Sequence, residues 1–144
     1  MSSKEKVKIS ILIPYKIIGG DVWVYMQKRS ANQKSPNCIG FWGGHAENEE
    51  TPEETVQREI KEELGLDLDM EQVKFFNRYE SLNSLISTFV LPVENGWEER
   101  VVIGEGEYGL WLDAKEGFDR EDILTMDKVK LNDLERVFLN KPQR

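Results

Sequence analysis

The sequence predicts one domain of the α/β or α+β class, with a β-sheet whose strands are interleaved with two or three helices. The chain has 144 residues, which is the size of a single domain that buries a core without disulfides. Its composition, 39% hydrophobic and 32% charged, is that of a globular chain and excludes a disordered one. Apolar residues recur with strand and helix periods throughout, without repeats or low-complexity segments. The expected organisation is one domain over residues 1–144.

The first third of the chain predicts a β-hairpin followed by a loop. Segments Val7–Tyr15 and Val22–Gln27 are rich in β-branched and aromatic residues, which is typical of strands. The turn signal Gly19–Asp21 lies between them and predicts their antiparallel pairing. Ser30–Cys38 is polar and is expected to be a loop, and Gly40–Gly44 is a short aromatic run that ends on a double glycine.

The clearest helix signal follows this double glycine. Thr51 is expected to be the N-cap, with Pro52 at the first helical position and a glutamate at the third, which is a capping-box pattern. The helix is expected to end near Leu64, with Gly65 as the residue that terminates it. One apolar stripe at four-residue spacing is formed by Val56, Ile60 and Leu64.

The remainder of the chain predicts three more strands and two more helices. The expected strands are Val73–Tyr79, Leu85–Val93 and Tyr108–Leu112. The expected helices are Asp119–Met126 and Val129–Leu139, and the second carries an apolar side.

The negative charge of the protein is concentrated in one segment. The chain carries a net charge of −8, and the segment Glu47–Glu71 alone carries −9. This segment contains eleven acidic residues and only two basic ones, Arg58 and Lys61. A negative surface disfavours a duplex nucleic-acid partner. No apolar run approaches the ~20 residues of a membrane span, so no membrane partner is expected. Cys38 is the only cysteine, which excludes an intrachain disulfide framework and favours the cytoplasm.

Three of these acids share one side of the predicted helix. Glu59, Glu62 and Glu63 have i, i+3 and i+4 spacing, and they crowd the helix C-terminus, where the helix dipole disfavours anions. Arg58, four residues before Glu62, offsets only part of the repulsion. Clustered carboxylates are ligands that Mg²⁺ and Mn²⁺ prefer, and a solvated acidic face is the alternative.

The spacing around the helix distinguishes these two interpretations. From Gly44 to Leu66 the residues follow the pattern G-x5-E-x7-R-E-U-x-E-E-x-G-U, where U is apolar and Glu50 is the first fixed acid. This pattern resembles the signature box of the Nudix hydrolases. The resemblance implies an α/β/α sandwich with a mixed sheet, in which the box forms a loop–helix–loop. It also implies hydrolysis of a nucleoside diphosphate linked to another group, by attack of water at phosphorus with Mg²⁺ or Mn²⁺ present.

The resemblance assigns roles to individual residues of the box. Glu59, Glu62 and Glu63 match the metal-binding glutamates, and Arg58 matches the arginine that orients one of them. Gly43 matches the position whose carbonyl joins the metal shell, and Glu50 resembles a residue that braces the loop. A further acid from a later loop is expected as ligand or general base. Glu105 is favoured for that role, with Glu107 as the alternative. The expected catalytic residues are Arg58, Glu59, Glu62 and Glu105, and the expected metal ligands are Gly43, Glu59, Glu62, Glu63 and Glu105.

The substrate side is less specific. Arg29 ends the second predicted strand and is expected to face substrate, while Phe41 or Trp42 is expected to stack on a nucleobase, with core packing as the open alternative. The expected function is a metal-dependent pyrophosphohydrolase acting on a nucleoside triphosphate or another nucleoside diphosphate derivative. One alternative is a non-catalytic nucleotide-binding module. Another is isomerase chemistry on a prenyl diphosphate, which needs a catalytic cysteine, and Cys38 is a poor candidate for that role. The sequence leaves open whether the chain forms a homodimer.

Overall fold

The computed structural model describes residues 5–104 and 106–140. Within them the chain forms a mixed β-sheet with helices on both faces, and a short 3₁₀ turn, Trp97–Arg100, precedes the last strand. In chain order the elements are β1 (Val7–Ile18), β2 (Asp21–Lys28), β3 (Ile39–Gly40), β4 (Trp42–His45), α1 (Pro52–Leu64), β5 (Lys74–Glu80), β6 (Ser84–Pro92), β7 (Tyr108–Asp113), α2 (Ala114–Gly117) and α3 (Thr125–Phe138).

The long strand β1 organises the sheet. The strand order is β3-β2-β1-β6-β5, with β4 also paired to β1 and β7 paired to β2. The first half of β1 pairs antiparallel with β4, from Ile9 opposite His45 to Leu12 opposite Trp42, and its second half pairs with β2. Along its other edge β1 runs parallel to β6. The β1–β6 pair is parallel and the other strand pairs are antiparallel, so the sheet is mixed, as the sequence predicted.

Two hydrophobic cores lie on opposite faces of the sheet. On one face α1 packs its buried stripe against Leu12 and Phe89. On the other face α2 and α3 cover Ile13 and Met26 with Ala114 and Leu131. Strand alternation sends neighbouring residues of β1 to different cores. The helix–sheet–helix layering expected from the sequence is therefore confirmed.

Helix α1 forms between the residues that the sequence predicted. The Thr51 hydroxyl accepts a hydrogen bond from the Glu54 amide, and the Thr51 amide donates to the Glu54 carboxylate at 2.9 Å. Gly65 has a φ of 67° and its amide donates to the Lys61 carbonyl. The side chains of the stripe, Val56, Ile60 and Leu64, are fully buried. Local caps thus fix both ends of the helix.

The prediction of a helix over Asp119–Met126 is wrong. The structure has the short helix α2 before this segment, and α3 begins only at Thr125 and includes most of the predicted Val129–Leu139 helix. The segment between them pairs with β3, since the Ile39 amide donates to the Asp122 carbonyl at 2.7 Å. Ile123 forms a bridge with Ile39 and is buried. Pairing with a distant strand therefore overrides the local helical pattern.

The helices of the described residues are also too short or too polar to cross a membrane.

Candidate active site

The double glycine of β4 brings the strand and α1 into close contact. Gly43 has a φ of 146°, and a Cβ atom added there would overlap the Ser10 carbonyl and lie 2.7 Å from the Ile11 Cα. A Cβ atom on Gly44 would lie 2.5 Å from the carboxyl carbon of Glu59. Gly43 therefore has no room for a side chain beside the backbone of β1, whereas a side chain on Gly44 would displace the flexible end of Glu59.

Two of the three predicted metal-binding glutamates of α1 lie against this double glycine. Glu63 is only 3% exposed, and its carboxylate accepts a hydrogen bond from the Gly43 amide at 2.7 Å. The Glu59 side chain is 15% exposed and fills the space that Gly44 leaves open. The i, i+4 spacing on α1 therefore places two carboxylates at one strand end.

Arg58 links the box loop to the helix. Its guanidinium donates to both oxygens of Glu50, at 2.8 and 3.0 Å, and to the His45 carbonyl at 2.9 Å. It also donates to Glu59 at 3.1 Å and to Glu62 at 3.4 Å. These carboxylates raise the pKa of the guanidinium, which stays charged. One arginine thus contacts two of the predicted metal ligands and holds the loop.

Glu50 braces the loop, as the sequence indicated. Besides Arg58, its carboxylate accepts hydrogen bonds from the Glu47 amide at 2.8 Å and from the Thr55 hydroxyl at 3.1 Å. The bond from Arg58 is the largest cause, and together these donors lower the pKa of Glu50 to about 2. The carboxylate is therefore ionised in the folded protein across the acidic range.

We expect Glu50 to give the fold a specific sensitivity to acid. Its pKa is about 2 when folded against 4.5 ordinarily, so its stabilisation is complete above pH 4.5 and is lost as pH falls towards 2. The Tm of the wild type should fall more steeply over this range than that of Glu50→Gln. Thermal melting at stepped pH measures it, with the exposed neighbour variant Glu49→Gln expected to follow the wild type. Parallel curves for Glu50→Gln and the wild type would contradict the role of the loop carboxylate.

The donor chemistry at this site suits a hard divalent cation. Carboxylate oxygens of Glu59, Glu62 and Glu63 and the Gly43 carbonyl are oxygen ligands, and the absence of a Cβ atom on Gly44 leaves a cradle for the Glu59 carboxylate. Within residues 5–104 and 106–140, no three acidic, histidine or cysteine side chains already stand close enough to hold a metal. Glu105, the favoured additional ligand, lies outside the described residues. Glu107, the alternative, is exposed.

A cleft of about 250 Å³ opens beside the double glycine. Arg29 and Phe41, two predicted substrate-binding residues, line it together with Gly43 and Gly44. The cleft is therefore continuous with the strand end against which the α1 carboxylates pack.

Trp42 is not part of this cleft, and its prediction as a stacking residue is corrected. It is fully buried in the core under α1, its indole N–H donates to the Tyr25 carbonyl at 3.1 Å, and its ring stacks on the Tyr25 ring. Phe41 belongs to the opposite core and reaches the cleft. The core-packing alternative thus holds for Trp42, because consecutive residues of an extended strand face opposite sides.

Two charged residues of α3 that the sequence did not predict as site residues, Asp127 and Lys130, also line the cleft. Lys130 is 1% exposed and pairs with Asp127 at 3.6 Å. Burial raises the pKa of the Asp127 carboxyl and lowers the pKa of the Lys130 ammonium, and each partner offsets part of the other's shift. Their i, i+3 spacing is the only sequence signal, and it does not distinguish a buried pair from a surface pair.

Fold and sequence comparison agree on the class of this protein. Residues 13–136 match the family model described as NUDIX domain, so the chain belongs to the Nudix family. This confirms the family indicated by the box from Gly44 to Leu66.

The chain is similar to individual proteins of this family. It is 32% identical over 91 residues to the 8-oxo-dGTP diphosphatase of Haemophilus influenzae, covering 62% of this chain and 65% of that enzyme. It is 28% identical over 116 residues to the 8-oxo-dGTP diphosphatase of Escherichia coli K12, covering 79% and 87%. The MutT/nudix family protein of Enterococcus faecalis has the same fold with a TM-score of 0.75 at 14% identity, over 96% of this chain and 64% of that one. The first two of these relatives are named as diphosphatases, which supports a Nudix-type hydrolase acting on phosphoanhydrides.

Proposed function

We propose that this protein is a divalent-metal-dependent pyrophosphohydrolase that cleaves a nucleoside triphosphate or a related nucleoside diphosphate derivative. The observation that carries the proposal is the packing of Glu59 and Glu63 against the double glycine of β4, beside a cleft that contains Arg29. The complete box and the names of the relatives support the same reaction. The match spans only 65% of the Haemophilus influenzae enzyme, so substrate and activity are proposed from the site.

The acids of α1 are assigned to the metal and the cleft to the substrate. Glu59, Glu62, Glu63 and the Gly43 carbonyl would hold Mg²⁺ or Mn²⁺, with Glu105 as a further ligand. When bound, the metal neutralises phosphate charge and polarises the phosphoryl group towards attack by water. Without it, the −9 segment would repel a pyrophosphate.

The residues of the chain itself orient the reacting groups. Arg58 holds Glu59 and Glu62 in place and ties them to the loop through Glu50. Glu105 is proposed as the acid that receives the proton of the attacking water. These roles make Arg58 a positioning residue.

The cleft is proposed to receive the nucleoside. Phe41 offers an aromatic edge, and Arg29 offers a positive charge for a phosphate or a base acceptor. The Asp127 carboxyl lies in the same cleft and provides a polar partner for the base. The names of two relatives make oxidised purine nucleoside triphosphates the first compounds to test.

We also propose that residues 1–144 form one domain and that the protein is cytoplasmic. The lone Cys38 supports the cytoplasmic setting. We also keep the absence of a duplex nucleic-acid partner, which the net charge of −8 supports. Gel filtration with light scattering would decide whether the chain is a homodimer.

The proposed reaction predicts release of pyrophosphate or phosphate from a nucleotide panel only when Mg²⁺ or Mn²⁺ is present. We expect Glu62→Gln to lower kcat by about 100-fold, because one charged ligand is lost. Glu53→Gln, which removes an exposed acid in the first turn of the same helix, should retain full activity. Product analysis identifies which P–O bond breaks.

The outcome also decides between the enzyme and the binding module. Nucleotide binding without turnover on any compound would favour the non-catalytic module. Metal-independent turnover, or equal activity of Glu62→Gln and Glu53→Gln, would contradict the assignment of the acids.

A further inference from the structure

A second cavity, of about 260 Å³, lies beside the N-terminal end of α1 and is separate from the substrate cleft. Its floor is formed by neighbouring strands: Ser10 of β1 is the register partner of Ser87 of β6, and Ser87 is the partner of Arg78 of β5. Register partners point to the same face of a sheet, so these three residues form one polar row. Pro52 at the start of α1 forms part of the opposite wall.

The two serines of this row are largely buried and line the cavity. Ser10 is 2% exposed and Ser87 is 4% exposed, and both line the cavity. In the part of the chain that the structure describes, neither hydroxyl makes a hydrogen bond. By contrast, the Thr55 hydroxyl in the same wall bonds to Glu50 and to the Thr51 carbonyl. Both serines line the cavity, so their hydroxyls are available to a ligand there.

The rim of the cavity carries two cations. Lys8 and Arg78 line it, and among the described residues neither forms an ion pair within 4.0 Å. Glu50 is the one acid in the lining, and both its oxygens are bound by Arg58. In a protein with a net charge of −8, this cavity therefore presents positive charge and free hydroxyls together.

We propose that this cavity is a binding site for a phosphate-group anion, with Lys8 and Arg78 supplying charge and Ser10 and Ser87 supplying hydrogen bonds. A tetrahedral phosphate has several acceptor oxygens, which suits donors from three strands. Among the described residues that line this cavity there is no aromatic ring on which a base could stack, and this favours inorganic phosphate or pyrophosphate over a whole nucleotide. The site does not depend on the proposed hydrolase reaction.

The test is binding of orthophosphate and pyrophosphate to the metal-free protein in EDTA, where the acidic cluster on α1 offers no anion site. Isothermal titration calorimetry and the rise in Tm at millimolar ligand measure it, with chloride at equal ionic strength as reference. We expect saturable binding by the wild type and a loss of about tenfold or more in affinity for Lys8→Gln/Arg78→Gln. Both residues are exposed, so folding should be unaffected.

A matched control separates a built site from general charge attraction. Lys74→Gln/Arg100→Gln removes one lysine and one arginine that line a different groove, with the same change in net charge. It should bind phosphate as the wild type does, while Ser87→Ala should weaken binding at unchanged charge. AMP is the third ligand to be titrated. If AMP binds more tightly than orthophosphate and pyrophosphate, and this binding is lost in Lys8→Gln/Arg78→Gln, the result would support the site and identify its ligand as an esterified phosphate. Equal losses in both double variants, or no saturable binding by the wild type, would overturn the proposal.

Discussion

Gly43→Ala is expected to destabilise the fold by about 3 kcal/mol or more. The residue has a φ of 146°, which side chains rarely adopt, and the added Cβ atom meets backbone atoms of β1. Backbone cannot rotate away as a side chain does, so β4 has to separate from β1. For a domain of this size the Tm should fall by about 10 °C, measured by calorimetry or circular dichroism.

The control for this prediction is Gly40→Ala in the adjoining strand β3. A Cβ atom there meets its nearest neighbours, Arg29 and Asp127, at 3.8 and 3.9 Å, which is ordinary contact. Its Tm should stay close to that of the wild type. If the Tm of Gly43→Ala equals that of Gly40→Ala, β4 does not need the close approach to β1.

Gly44→Ala is expected to have the opposite profile, with an intact fold and a large loss of activity. The added Cβ atom lies 2.5 Å from the Glu59 carboxyl carbon, and this flexible side-chain end is able to move. Moving a catalytic group by about 1 Å costs about 100-fold in rate, so kcat should fall by this factor on the substrate found for the wild type. The measurement is kcat together with Tm for each variant.

Coupling between the two residues distinguishes displacement of Glu59 from other causes. Glu59→Asp shortens the side chain by one methylene group and withdraws its carboxylate from Gly44. In the Glu59→Asp background, Gly44→Ala should therefore cost much less than in the wild type. Additive losses in the double variant would mean that the methyl group acts elsewhere than on Glu59.

The elements that the sequence predicted well are those whose signals are local. Thr51, Pro52 and Gly65 define both ends of α1, because caps depend only on residues within one turn. The helix predicted over Asp119–Met126 failed because Ile39, far away in the chain, offers the segment a strand partner. A pattern within eight residues carries no information about that pairing.

The same division applies to the candidate site. The spacing of the box placed the glutamates on one side of α1, and the structure shows Glu59 and Glu63 against the double glycine that precedes the box. Burial of Trp42 and of the Asp127–Lys130 pair depends on which helix covers which sheet face. Those facts arise only when distant segments pack, so side-chain pattern alone did not provide them.

The parallel pairing of β1 with β6 sets the order in which the protein acquires its activity during synthesis. Val7 pairs with Ser84, so the intervening chain has to fold back before the pair forms, and closing so long a loop slows folding. β4 and α1 leave the ribosome well before β6. The sheet against which α1 packs is incomplete until β6, which ends at Pro92, has been synthesised. We expect a nascent chain that stops short of β6 to expose the apolar edge of β1 and to require a chaperone, whereas a chain extended through α3 closes both cores.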